Sequence, residues 1–167
     1  WEGFNRQVFA FNQGFDSMLL RPVAEGYDAH VPDVVRTGIG NVFENVSDAW
    51  SAVNHLLQGD PLASAEMTTR FLVNSTLGFY GLLDWASEMG IERQREDFGQ
   101  TLGRWGTPPG PFLVLPFFGP SSVRDGIGFA VDREFSLGNL FTDRKYFNAL
   151  TALELVKVRA QLLPASR

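Results

Sequence analysis

The stretch Phe98 to Asp125, FGQTLGRWGTPPGPFLVLPFFGPSSVRD, limits the possible folds more than any other part of the chain. It begins polar, passes Gly103, Gly106 and Gly110, and meets Pro108, Pro109 and Pro111. An apolar run from Phe112 to Phe118 follows, broken only by Pro116. Proline removes backbone donors and glycine relaxes φ, so a long regular helix is disfavoured here. An irregular segment this apolar is tucked into a core or presented to another apolar phase. A connection of this length without regular structure is unusual inside a compact domain and points to function.

The flanking sequence reads as helices. Phe4, Val8, Phe11 and Phe15 recur at helical spacing, Met18 and Leu19 continue the face, and Asn5, Arg6, Asn12 and Asp16 supply the polar side. This first helix is expected to stop before Arg21-Pro22. It is either a core helix of a small bundle or a helix lying at a bilayer surface. Pro32 is placed to open a second helix, and Val35, Ile39, Val42, Val46, Trp50, Val53 and Leu57 give its apolar stripe, with Gly59 as the stop. Asp60-Pro61 caps a third, expected to be interrupted at Asn74-Ser75-Thr76. Leu77 to Ala86 is apolar on nearly every side and too short to span a bilayer, so it reads as a short helix buried in protein or lipid. Glu88 to Gln100 is the most charged segment and reads as a water-facing loop.

Ser122 with Asp125 resembles a capping box opening a helix through Ile127, Ala130 and Val131. Phe135 to Thr142 reads as a loop. Asp143 caps a last helix whose apolar face is Phe147, Leu150, Leu153, Val156, Ala160 and Leu163, with Glu154, Lys157 and Arg159 elsewhere and Pro164 at its end. No strand alternation is visible. The expectation is an all-α chain forming one domain over 1–167, with a hairpin region at about 98–121.

Charge and chemistry narrow the function. A net charge of -5 without a basic stripe argues against nucleic acid. With no cysteine there is no thiol chemistry or thiolate metal site. His30 and His55 lie far apart and outside any HExxH pattern, so no metal site is indicated. Ser121 and Ser122 lack a nucleophile elbow, and Gly99, Gly103 and Gly106 lack the lysine of a phosphate loop. Asp84, Asp97, Asp125 and Asp132 are read as partners of Arg70, Arg104, Arg124 or Arg133 rather than as catalytic carboxylates. No catalytic residue, cofactor or metal is assigned. Fifteen phenylalanines and short apolar helices fit the handling of a lipid, and a soluble helical interaction module is the alternative. The chain opens at Trp1 without an initiator Met and reads as a mature or trimmed form.

A set of short pieces runs through the chain in order: Glu2-Gly3-Phe4-Asn5-Arg6, Leu20-Arg21-Pro22-Val23-Ala24, Val31-Pro32 with Arg36, Leu57-Gln58-Gly59, and Arg70-Phe71-Leu72-Val73-Asn74-Ser75-Thr76. Asp97-Phe98-Gly99-Gln100-Thr101-Leu102-Gly103, Gly110-Pro111-Phe112, Leu115-Pro116, Gly119 and Arg124-Asp125 complete it. In this the chain resembles the MlaA (VacJ) family of outer-membrane lipoproteins of Gram-negative bacteria. The resemblance implies a ring of amphipathic helices in the periplasmic leaflet of the outer membrane, around a central amphipathic channel. It implies phospholipid as the transported ligand, a trimeric outer-membrane porin and a periplasmic lipid carrier as partners, and no enzymatic centre. Carried onto this sequence, it makes Phe98, Gly103, Trp105, Gly106, Gly110, Phe112, Leu115, Pro116, Phe117, Arg124 and Asp125 the channel and hairpin residues. Phe4, Val8, Phe11 and Phe15 are expected to face lipid or the ring wall.

Overall fold

The computed structural model describes residues 1–141 and 143–164. Helix α1 (Glu2–Phe15) passes through a π turn (Asp16–Leu20) directly into α2 (Arg21–His30). The stop expected before Arg21-Pro22 is therefore absent. Pro22 falls in the first turn of α2, just after the point where Arg21 N–H bonds to the carbonyl of Asp16, five residues back. The widened turn absorbs the proline that would break a regular helix.

Long α3 (Asp33–Leu57) begins after Pro32, and α4 (Pro61–Thr76) begins at the Asp60 cap, whose Oδ1 accepts from Ala63 N–H at 3.0 Å. Helix α4 runs through Asn74 rather than stopping there. The Asn74 side chain is spent on tertiary contacts, donating to Asp84 and accepting from Ala86 N–H. Leu77 to Leu83 is a chain of turns, not a buried helix, and only Trp85–Glu88 (α5) is helical. Phe79 and Tyr80 adopt φ of 52° and 59° there, and both rings are exposed.

After a strap from 89 to 97 come α6 (Phe98–Arg104), the strands β1 (Phe112–Leu115) and β2 (Gly119–Ser122), and α7 (Val123–Glu134). A 3-10 turn (Leu137–Leu140) leads to α8 (Arg144–Leu162). The strands form an antiparallel pair with Phe112 opposite Ser122 and Leu115 opposite Gly119. This corrects the expectation of a chain without strands. β1 is too short and too uniformly apolar to show alternation, and Gly119-Pro120 disguises β2. Helices α6 and α7 cross at glycines, where a Cβ on Gly128 would lie 2.4 Å from Gly99 N.

The elements close a circuit. Helix α1 packs on β1, the hairpin on α7, α7 on α6, α6 on α3, and α3 on α8. Helix α8 returns to α2 and to the π turn that continues α1. Arg159 of α8 grips Asp16 of that turn with two hydrogen bonds, at 2.6 and 3.0 Å. The chain is thus a mostly helical ring with one small sheet. Its accessible surface is 10300 Å². A compact protein of 18.6 kDa has roughly 8,200 Å².

Polarity is inverted relative to a water-soluble domain. The buried apolar residues are Ala24, Ala52, Ala63, Ala86, Ala160, Met67, Val114 and Leu163. The largest fully buried side chains are instead Arg70, Met67, Asn54, Asn74, Thr101, Asp48 and Ser51. Helix α3 shows this most clearly. None of its apolar stripe from Val35 to Leu57 is buried, whereas Asn45, Asp48, Ser51, Asn54 and His55 are.

Candidate functional site

A cavity of about 330 Å³ lies within the circuit. It is lined by Phe43, Val46 and Trp50 of α3, Phe117 and Phe118 at the hairpin tip, Phe129 of α7 and Leu155 and Val158 of α8, among others. Trp50 stacks on Phe135 with ring centroids 3.8 Å apart. Four kinds of element thus contribute aromatic or branched side chains to one wall.

A few polar groups are set into that wall. Asp132 accepts from Trp50 Nε1 at 2.6 Å and from Phe98 N–H at 2.9 Å. Burial raises the Asp132 pKa, these two hydrogen bonds oppose the rise, and the nearby Asp97 charge adds to it. Arg133 donates to Thr151 Oγ1 at 2.6 Å, and its guanidinium faces the rings of Phe118, Phe129 and Phe147 at 5.7, 6.0 and 5.4 Å. Three rings thus present their π systems to one cation at the wall. The lining is thus mixed, aromatic and branched side chains with a few charged groups among them. Among the described residues no group of three or more His, Asp or Glu is placed to hold a metal ion.

The hairpin is docked by side chains rather than by a further strand. Asn5 Nδ2 donates to Phe112 O at 2.9 Å, and Asn5 Oδ1 accepts from Val114 N–H at 2.9 Å. Asn12 repeats the pattern with Leu115 O at 3.0 Å and Phe117 N–H at 2.8 Å. Seven residues of helix rise about 10.5 Å, and three residues of strand about 10 Å, so the two repeats match. The same rotation sets Phe11 and Phe15 against Phe117, with centroids at 5.2 and 4.9 Å. Phe4 and Phe11 remain about half exposed, at 49% each, and Val8 and Phe15 are half-buried.

The structure separates the other hairpin residues. Phe117 lines the cavity, and Phe98, Gly103, Trp105, Gly106, Gly110, Phe112, Leu115, Pro116, Arg124 and Asp125 do not. Phe98 meets the Trp105 ring edge-on at 6.0 Å, and Trp105 Nε1 donates to Leu57 O. Gly103 lies against Arg124, where a Cβ would come within 2.8 Å of Nη1. Gly106 and Gly110 take φ of 92° and 70° on either side of the proline pair. Phe112 is exposed, Pro116 sits in the turn, and Leu115 joins Leu113, Ile127 and Trp1 along an apolar groove. Arg124 Nε donates to Asp125 Oδ1, and Ser122 and Asp125 form the expected cap of α7. Hydrogen bonding to Arg124 is the main cause that lowers the Asp125 pKa. Of the wall, Trp50 was visible as a stripe residue of α3. Phe43, Phe129, Arg133 and Phe135 carry no local signal, because only the ring closure brings them together.

The strap from 89 to 97 is water-facing only in part, with Glu92, Gln94 and Arg95 exposed and Arg93 turned inward. It carries Arg93 into a buried ionic cluster with Asp48, Glu44 and Asp84. Fully buried Arg70 reaches Asp48 at 3.2 Å, both Asp84 oxygens at 2.9 Å, and the Ile91 carbonyl. Burial alone would raise the Asp84 pKa. Hydrogen bonds from Ser87 and Asn74, with the Arg70 charge, outweigh it and hold it at about 2.

These features define a helical ring, apolar outside and polar within, around a mixed cavity. The MlaA lipoprotein family model matches residues 1–167, and the chain belongs to that family. It is 37% identical over 166 residues to the intermembrane phospholipid transport system lipoprotein MlaA of Escherichia coli, covering 97% of this chain and 66% of that protein. An uncharacterised protein of Rickettsia typhi is 36% identical over 168 residues, covering 99% of this chain and 66% of its own length. The chain therefore spans just under two thirds of these relatives. A solved chain from work on the structural basis for maintenance of bacterial outer membrane lipid asymmetry superposes with a TM-score of 0.85 at 35% identity, over 98% of this chain and 84% of that one.

Proposed function

We propose that the chain is the outer-membrane component of an intermembrane phospholipid transport system, acting as one unit over residues 1–167. It sits in the periplasmic leaflet and takes phospholipid misplaced in the outer leaflet through the opening of the ring. The lipid then passes to a periplasmic carrier protein, and a trimeric porin holds the ring in place. The protein acts as a transport component, and the phospholipid is its cargo.

The observation that carries this reading is the inverted polarity. Exposed Phe4, Phe9, Phe11, Leu56, Leu62, Leu72, Phe79, Tyr80 and Trp85 surround a core of Asp48, Asn54, Arg70 and Asn74. A protein surrounded by water would gain by the opposite arrangement. The Leu77–Leu83 turns add support, because their apolar side chains are exposed while the backbone bonds within the protein. Tyr80 N–H reaches Ser75 O, Gly81 N–H reaches Asn74 O, Leu83 N–H reaches Gly78 O, and Leu82 O accepts from Asn41. Hydrocarbon imposes that condition on any backbone it surrounds. No helix among the described residues is long and apolar enough to cross a membrane, in keeping with residence in one leaflet.

The test is transfer in reconstituted vesicles carrying fluorescent phospholipid in the leaflet opposite the protein, with a soluble acceptor present. Faster loss of label to the acceptor with protein than without is expected. Equal rates would overturn the reading.

A further inference from the structure

Lys157 stands apart from the other buried charges. It is 8% exposed, although it lies off the apolar face of α8. Among the described residues its ammonium has no hydrogen-bond or salt-bridge partner, and it faces the Phe43 ring at 5.2 Å. It lines a cleft of about 410 Å³ where α2, α3 and α8 meet, together with Tyr27, Asp28, Asp33, Arg36 and Glu44.

The acids around it are already taken. Arg36 pairs with Asp28 and Asp33. Glu44 is held by Arg93 and Arg95, and Glu154 by Arg133. Burial lowers the Lys157 pKa, while the charges of Glu44 and Glu154 oppose that and those of Arg95 and Arg93 reinforce it. Two further donors on the cleft residues lack acceptors: the buried Tyr27 hydroxyl and Arg36 Nε. Leaving an ammonium buried without a counter-charge is costly, and an oxyanion with several acceptor atoms removes that cost.

We propose that this cleft binds a phosphate-bearing anion through Lys157. On the transport reading above, the anion is the phosphodiester of a lipid headgroup, and the cleft is a headgroup station on the ring wall.

The test uses the detergent-solubilised chain as wild type, Lys157→Met and Lys157→Arg. Met keeps the stem over Phe43, and unchanged circular dichroism verifies folding. Binding of a short-chain phosphatidylglycerol, of the diacylglycerol with the same tails, and of inorganic phosphate is measured for each. Wild type is expected to prefer the phospholipid to the diacylglycerol by about tenfold, Lys157→Met to lose that preference, and Lys157→Arg to keep most of it. Phosphate binding that Lys157→Met abolishes, without a gain from the acyl tails, would support the anion site and assign it to soluble phosphate. Unaltered phospholipid and phosphate binding in Lys157→Met would overturn the proposal while leaving the transport reading intact. Wild type that binds neither lipid would overturn the transport reading and the headgroup assignment together.

Discussion

Asn5 and Asn12 each saturate one carbonyl and one amide of an edge that no strand covers. An apolar side chain there leaves backbone groups unpaired, at about 1–3 kcal/mol for each group that water cannot reach. Asn12→Leu is expected to lower the unfolding midpoint and to speed amide exchange at Phe117, with Asn5→Leu doing the same at Val114. Exchange rates unchanged at both amides would show that the hairpin is held by other means. Asp84 makes a second residue-scale prediction. Its pKa is about 2 in the fold against an ordinary 3.8, so the unfolded chain takes up the proton first as pH falls. Its stabilising contribution is full above pH 3.8 and is lost as pH falls toward 2. Stability measured across that window should fall, and Asp84→Asn should flatten the slope. Arg70→Met, which leaves Arg93 as the one cation pairing Asp48 and Asp84 among the described residues, should destabilise at all higher pH by about 3–5 kcal/mol.

At the scale of elements, the hairpin is where substitution should change transport with little effect on the rest. Gly110 holds φ at 70°, and Val123 Cβ lies 3.4 Å from where its Cβ would be. A β-branched residue cannot take that conformation without strain of about 1–3 kcal/mol. Gly110→Val is therefore expected to shift the hairpin tip, with Phe117 and Phe118, and to slow vesicle transfer. Transfer at the wild-type rate would separate hairpin geometry from function. Helices α1, α3, α4, α7 and α8, the Asp60 and Asp143 caps and the Ser122–Asp125 pair were legible in the sequence, because each depends on neighbours within one turn, whereas α2 and α6 were not. The passage through Pro22 was not, since a π turn leaves no spacing signature. The strands were hidden by prolines and glycine. The stripe of α3 was legible but its facing was not, because periodicity locates an apolar stripe without saying what it meets.

For the whole molecule, the inverted polarity predicts where labels will lie. The chain has no cysteine, so single cysteines at Phe79, Tyr80 or Leu62 give clean probe sites. Fluorophores there should be quenched by lipids carrying a quencher on the acyl chain, and one at exposed Glu92 should not. Strong quenching by a water-soluble quencher at Phe79 and Tyr80 would contradict burial in the leaflet.

The clasp between Asp16 and Arg159 joins residues 143 apart in sequence. Until α8 has emerged, the earlier helices can form only an open arc. Completion is therefore a late event, unavailable to a nascent chain. A version cut before Arg144 should precipitate.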